Sequence, residues 1–257
     1  MTAASVPSTP VARQPRLWPL VPCAGVGSRA AEGQADKSLP KQYQPLAGRP
    51  LVAHTLAALA AVARLQPALV VVAPQDGWAA PLLADADGLA GCGAQLAFCG
   101  GDTRAQSVLN GLDHLLAHGA RDDDWVLVHD AARCLVLPQQ IDRLIDACRD
   151  DPAGGLLALP LPDTLKAADA SGRVAATLPR TGKWLAQTPQ MFRLGLLRQA
   201  LRQAPALGVT VTDEASAIEA LGLSPRLVEG SARNFKVTYA GDFALAEAVL
   251  AAQGAGR

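Results

Sequence analysis

The chain has 257 residues and no surplus of either charge: 23 Lys and Arg balance 23 Asp and Glu. A protein that grips nucleic acid without regard to sequence carries a basic excess, so that class is excluded and no nucleic-acid partner is expected. No unbroken apolar run approaches the roughly 20 residues needed to span a bilayer, so no membrane partner is expected either. The five cysteines, Cys23, Cys92, Cys99, Cys134 and Cys148, are odd in number and form no CxxC pair. That argues against a disulfide framework or a thiolate zinc site, and for reduced, mostly buried thiols in a cytoplasmic protein. There is no GxxxxGK[ST] P-loop and no internal repeat. His114 and His118 have i, i+4 spacing but lack the glutamate of an HExxH zinc helix, so no metal is expected there.

What is present is apolar: 50% of residues are hydrophobic and only 18% charged. Such a chain is long enough to bury a substantial core and too apolar to stay disordered. Residues 1–16 are the exception. They are rich in Ala, Ser, Thr, Pro and Arg, hold no acid, and show no apolar h-region of a secretory signal. They read as a disordered tail, followed by one domain over 17–253.

Within that domain, strand-like and helix-like patterns alternate. Leu17 to Cys23, Ala68 to Ala73 (ALVVVA, between Pro67 and Pro74), Leu96 to Cys99, Trp125 to His129 and Leu156 to Leu159 read as buried strands. Between them, Leu51 to Ala63, the set Val108, Leu109, Leu112, Leu115 and Leu116, and the set Ile141, Leu144, Ile145 and Cys148 have helical spacing. This alternation predicts an α/β fold with a mostly parallel sheet flanked by helices. A polar, glycine-punctuated stretch at about 162–185 interrupts it and suggests a protruding β-hairpin arm. Helices return at Leu194 to Leu201 and after Thr212, whose hydroxyl is the expected cap with Asp213 and Glu214 at the positive end. Leu227 to Glu229 and Asn234 to Thr238 read as strands, and Asp242 caps a last helix.

Four segments carry chemistry. In LVPCAGVGSR (20–29) a strand runs into Gly25 and Gly27 and then Arg29, with Lys41 following in LPKQY. Glycines let the backbone approach an anion and aim several N–H groups at it. The turn and two cations suit a triphosphate; a tight βα turn with two solvated cations is the equally weighted plainer reading. In GGDTRAQSV (100–108) Asp102 or Thr103 suits an N-cap, while Ser107 and the backbone at Gly101 suit a base edge. In LVHDAAR (127–133) Asp130 stands at the carboxyl end of a buried strand, where open α/β sheets bind ligands. There it suits either a magnesium ion on phosphate oxygens or a helix cap, and Arg133 is available to an anionic substrate. His129 reads as a structural hydrogen-bonding residue. In NFKVT (234–238) Lys236 is a lone cation in a strand-like segment.

These segments, with PDTLK (162–166), TPQMF (188–192), VTDEASAIE (211–219) and LVEGSARNFKVT (227–238), resemble the cytidylyltransferases of isoprenoid-precursor synthesis, the 2-C-methyl-D-erythritol 4-phosphate cytidylyltransferase family. The similarity runs from about Leu20 to Leu250. Each motif is weak alone; their number, order and spacing together are specific. The resemblance implies a Rossmann-like nucleotidyltransferase fold, a homodimer interlocked by the arm, and CTP, a polyol phosphate and Mg2+ (or another divalent cation) as ligands. It also implies roles. Arg29, Lys41 and Lys236 are the catalytic cations. Ala24, Gly25, Gly27, Arg29 and Lys41 match positions around the CTP phosphates, and Gly101, Asp102 and Ser107 those around the cytidine. Asp130 and Ala131 match the segment beside ribose and magnesium. Arg133, Thr164 and Arg180 match positions that receive the substrate phosphate, the latter two from the partner's arm, and Thr212 and Asp213 line the substrate pocket. Three positions depart from the family pattern: Cys134 replaces a proline, Cys23 replaces an alanine, and the Arg29–Lys41 loop is longer. The nearest alternative is a cytidylyltransferase acting on ribitol 5-phosphate or another polyol phosphate. A dinucleotide oxidoreductase is disfavoured by Ala30 in place of the third fingerprint glycine, and a non-catalytic nucleotide binder by the retention of all three cations.

Overall fold

The computed structural model describes residues 13–25, 39–84 and 93–254. Gly27, Arg29 and Cys92 lie outside the described residues. In chain order the elements are β1 (Leu17–Pro22), β2 (Pro45–Leu46), β3 (Arg49–Pro50), α1 (Leu51–Ala60), β4 (Leu69–Val71), α2 (Ala79–Ala84), β5 (Gln95–Ala97) and α3 (Arg104–Ala117). Then follow β6 (Trp125–Val128), α4 (Pro138–Cys148), β7 (Gly155–Pro160), β8 (Leu165–Ala168), β9 (Val174–Leu178), β10 (Trp184–Arg193), α5 (Leu194–Gln203), α6 (Glu214–Glu219), β11 (Arg226–Glu229) and α7 (Ala240–Gly254).

Seven strands form one sheet in the order β11-β7-β10-β6-β1-β4-β5. All neighbours are parallel except β10, which runs antiparallel to both β6 and β7. The mostly parallel sheet expected from the sequence is therefore present. The apolar runs are buried on both faces because successive side chains alternate. Val21, Val70, Leu127, Leu157 and Met191 join one core with α1 and α4. Leu20, Leu69, Val71, Val126, Val128, Leu156 and Phe192 join the other, with α3, α5 and α6. Helix α3 lies close on the sheet: a Cβ at Gly111 would meet Val71 Cγ2 at 2.7 Å. Among the described residues, no helix is long and apolar enough to cross a membrane.

Three local readings change. Asn234 to Thr238 is irregular chain, not a strand. Its apolar alternation is real, but Val237 and Phe235 pack into a third cluster with Leu46, Leu51, Ala132 and Cys134, and Val237 N–H bonds Ala132 O at 2.9 Å. The cap of α6 is Asp213 rather than Thr212: its carboxylate accepts from Ser216 N–H at 2.9 Å. The stretch before Leu194, to which the sequence reading assigns no strand, is β10, although a proline such as Pro189 argues against a central strand. A register shift between Ala186 and Gln190 absorbs it, with a cis Thr188–Pro189 peptide inside the shift. Asp242 does serve the start of α7, accepting from Thr238 and Tyr239 N–H at 2.7 and 2.9 Å.

The arm is a two-stranded hairpin, β8 against β9, and every residue of β9 is exposed. At the other end of the domain, Arg13 to Arg16, grouped with the tail by composition, contact buried Asp124. Its carboxylate accepts from Arg13 Nη2 at 2.7 Å, Arg16 N–H at 2.8 Å, Trp18 Nε1 at 3.0 Å and Arg121 N–H at 3.0 Å.

Candidate active site

From β1 the chain crosses to β4 and β5 on one side, then returns to β6 on the other. The carboxyl ends of β1 and β6 thus flank the point where strand order reverses, the usual ligand crevice of an open α/β sheet. A cleft of about 320 Å³ opens there. Of the residues singled out from the sequence, Ala24, Gly25, Lys41, Gly101, Asp102, Ser107, Asp130, Ala131 and Lys236 all line it. Its two glycine-bearing loops touch. A Cβ at Gly100 would collide with Ala24 Cβ and lie 2.8 Å from Val72 O, so only glycine permits this approach. Ser107 closes the second loop: its Oγ accepts from Gly101 N–H at 3.1 Å and donates to Thr103 O at 2.9 Å. Thr103 is the N-cap of α3, accepting from Gln106 N–H.

Asp130 is the electrostatic centre. It is 8% exposed. Its Oδ1 accepts from Arg104 Nε at 2.9 Å and its Oδ2 from Lys236 Nζ at 2.8 Å, with Arg133 Nε 3.9 Å away. Burial opposes its charge, but Arg104 and Lys236 outweigh that and hold its carboxyl below the usual carboxylate range. It does not cap a helix. Arg104 in turn grips Glu214 with both terminal nitrogens, at 2.6 and 3.0 Å, and Glu214 is fully buried. The sequence reading passed over Arg104 and took Glu214 only for an acid at a helix start. Both stand inside quoted motifs, but nothing in local spacing pairs residues 110 positions apart.

Arg133 is committed to the backbone, donating to Asn234 O at 2.7 Å and Ala186 O at 3.2 Å. Thr212 is exposed. Asp213 accepts from Gln190 Nε2 at 2.9 Å and borders a separate depression with Trp184, Ala186 and Leu227. Thr164 and Arg180 sit on the arm, away from the cleft of their own chain; Arg180 donates to Pro162 O. The rings of His114 and His118 stack at 4.0 Å between centroids. Among the described residues no group of three or more His, Cys, Asp or Glu is placed to hold a metal.

His129 has the structural role expected. Arg133 O, 3.1 Å from its Nε2, can only accept, so Nε2 carries the hydrogen. Nδ1 then accepts from Thr188 Oγ1 at 3.0 Å, and Thr188 Oγ1 accepts from Asp130 N–H at 3.0 Å. This chain fixes the backbone that carries Asp130. Burial pushes the imidazole down from 6.5 to about 4, so it is neutral at pH 7. Unfolded chain takes up this proton below about 6.5, native protein only near 4; the stabilisation is complete above 6.5 and is lost as pH falls between those values. The gap corresponds to about 3 kcal/mol. Urea unfolding at pH 7.5 and pH 5 measures it: wild type should lose much of this stability, and His129→Gln clearly less. Equal acid losses in both proteins would exclude His129 as the cause.

An acid-anchored cationic cleft at the switch point of a Rossmann-like sheet defines a nucleotidyltransferase. Comparison with known proteins makes this particular. Residues 17–252 match the family model described as IspD, 2-C-methyl-D-erythritol 4-phosphate cytidylyltransferase. The chain is 56% identical over 244 residues to the 2-C-methyl-D-erythritol 4-phosphate cytidylyltransferase of Cupriavidus pinatubonensis, covering 91% of this chain and 94% of that protein. It is 64% identical over 244 residues to a bifunctional enzyme IspD/IspF of Albidiferax ferrireducens, covering 94% of this chain but only 54% of that longer protein. Among solved structures, a 4-diphosphocytidyl-2C-methyl-D-erythritol synthase superposes with a TM-score of 0.79 at 37% identity, covering 93% of this chain and 100% of that one. The Francisella tularensis 2-C-methyl-D-erythritol 4-phosphate cytidylyltransferase gives 0.74 at 32%, covering 91% and 99%. The chain belongs to the 2-C-methyl-D-erythritol 4-phosphate cytidylyltransferase family of the non-mevalonate isoprenoid route.

Proposed function

We propose that the cleft binds CTP and that the chain transfers its CMP to 2-C-methyl-D-erythritol 4-phosphate, giving 4-diphosphocytidyl-2-C-methyl-D-erythritol and pyrophosphate. The observation that carries this is the convergence of Lys41, Lys236 and both glycine-bearing loops on one cleft. The acceptor phosphomonoester is already mostly dianionic at pH 7, since its second pKa is about 6. It needs no general base. The difficulty is to bring one polyanion against another, so the residues act by positioning and charge neutralisation. Lys41 and Lys236, with Arg29, neutralise the phosphates as the acceptor oxygen attacks the α-phosphorus in line and pyrophosphate leaves. Gly101, Asp102 and Ser107 read the base, and Ala24, Gly25 and Gly27 present N–H groups to the phosphates.

A divalent cation fits the donor set. Magnesium is usually held by one or two carboxylates together with substrate phosphates, and Asp130 offers hard oxygens on the cleft wall. Its Oδ2 is covered by Lys236, whose side chain is 40% exposed. When bound, the ion would neutralise part of the triphosphate charge. Thr164 and Arg180 are proposed to act in the partner's site within a homodimer. Exposed apolar side chains on and beside the arm, among them Val174 and Leu185, support that assembly, and the unpaired thiols support a cytoplasmic setting.

The test is pyrophosphate release from each of CTP, ATP, GTP and UTP, with methylerythritol phosphate and ribitol 5-phosphate offered in parallel. Release is expected with CTP and methylerythritol phosphate alone. A preference for ribitol 5-phosphate would overturn the acceptor, and absence of release with both would overturn catalysis.

A further inference from the structure

Lys41–Tyr43 forms a single 3-10 turn whose three side chains reach three parts of the molecule. Lys41 Nζ donates to Val237 O at 2.6 Å, beside Lys236. The Tyr43 hydroxyl donates to Asp76 Oδ2 at 2.7 Å. Gln42, 6% exposed, donates its side-chain amide hydrogens to Cys23 O and Gly25 O, each at 2.9 Å. These two carbonyls belong to the loop that leaves β1 and lines the cleft.

A trans peptide is planar, so its C=O and N–H point in opposite directions. Holding Cys23 O turns the Ala24 N–H away from Gln42, and the second bond, to Gly25 O, ties down the next carbonyl but one in the same loop. At Gly25, where a Cβ would meet nothing within 4 Å, the buried amide supplies a direct hold on the carbonyl.

We infer that Gln42 is a positioning residue of the nucleotide site: it orients the Ala24 N–H, just after β1, toward the CTP phosphates and sets the distance of residues 23–25 from Lys41. It acts through these two carbonyls, on which both its amide hydrogens are spent. This rests on the CTP reading above. It would not follow from a purely structural Gln42, whose loss would lower stability and weaken both substrates alike.

Calorimetric titration with magnesium and CTP, thermal unfolding, and the KM of each substrate test this on wild type, Gln42→Met and Gln42→Asn. Methionine keeps the length and volume without a donor. The expected result for Gln42→Met is a melting temperature within a few degrees of wild type, a CTP Kd raised about tenfold or more, and a KM for the polyol phosphate changed by less than about twofold. A folded Gln42→Met with CTP affinity within about twofold of wild type, or with both substrates weakened equally, would overturn the inference. If Gln42→Met does not fold, Gln42→Asn, too short to reach both carbonyls, is judged by the same criteria. Wild type that binds no CTP would remove the CTP reading and this inference with it. CTP binding by wild type and by the variants alike would remove this inference alone.

Discussion

Lys236→Ala should lower turnover by about a thousandfold and leave the protein folded. The magnitude is that of removing one preorganised donor from a developing oxyanion in a water-excluded site. The fold should survive because the Lys236 side chain is 40% exposed and the segment around it is fixed by other contacts. Val237 N–H bonds Ala132 O, and buried Asn234 donates to Thr188 O at 2.8 Å. The substitution also removes the cation on Asp130 Oδ2, but Arg104 still holds Oδ1, so the carboxylate keeps a partner. Lys41→Ala should lose turnover to a similar extent, since Lys41 lines the same cleft. The double variant should fall only slightly further than either single one, because groups that act on one charge are not additive. The measurements are pyrophosphate release at saturating substrates and thermal unfolding. Near-normal turnover in both single variants would refute charge neutralisation by these lysines.

Much of the fold was legible because the parallel strands are buried on both faces. ALVVVA, WVLVH and LLAL carry dense apolar runs that little else in an α/β chain produces, and the helices between them show their own spacing. The readings that changed are those in which tertiary context overrides local pattern. Phe235 and Val237 alternate as in a strand, yet their backbone bonds a loop and their side chains fill a separate apolar cluster. β10 was not read as a strand at all, and its register shift accommodates Pro189. Within the site, Gly25, Gly101 and Asp130 drew notice by their position at turns and strand ends, whereas Lys236 was singled out by the family resemblance; with Lys41 and Ser107 they all line one cleft. Arg104 and Glu214 were not paired from the sequence, because a long-range ion pair leaves no periodicity in the chain. Glu214 had a sufficient local explanation as a helix-start acid, which concealed its burial.

That buried pair gives the largest expected effect on stability. Glu214 is completely buried, and its carboxylate is met by two Arg104 nitrogens. Glu214→Ala should cost about 3 kcal/mol, the low end for breaking a buried pair, because Arg104 is left 30% exposed and still bound to Asp130 Oδ1. For a chain of this length that corresponds to a fall in melting temperature of roughly 10 °C. Glu214→Gln, which keeps the shape and one acceptor, should lose less. The informative variant removes both charges. Arg104→Met with Glu214→Leu replaces the pair by apolar side chains of similar reach, and such replacements are often neutral or stabilising. The double variant should therefore melt well above Glu214→Ala. Its turnover should nevertheless stay low, since Asp130 Oδ1 has lost the Arg104 Nε that orients it. Stability that returns without activity would assign the pair to orienting Asp130. Recovery of both would mean that the pair only fills space between α3 and α6, and that Asp130 is held well enough by Thr188 and Lys236 alone.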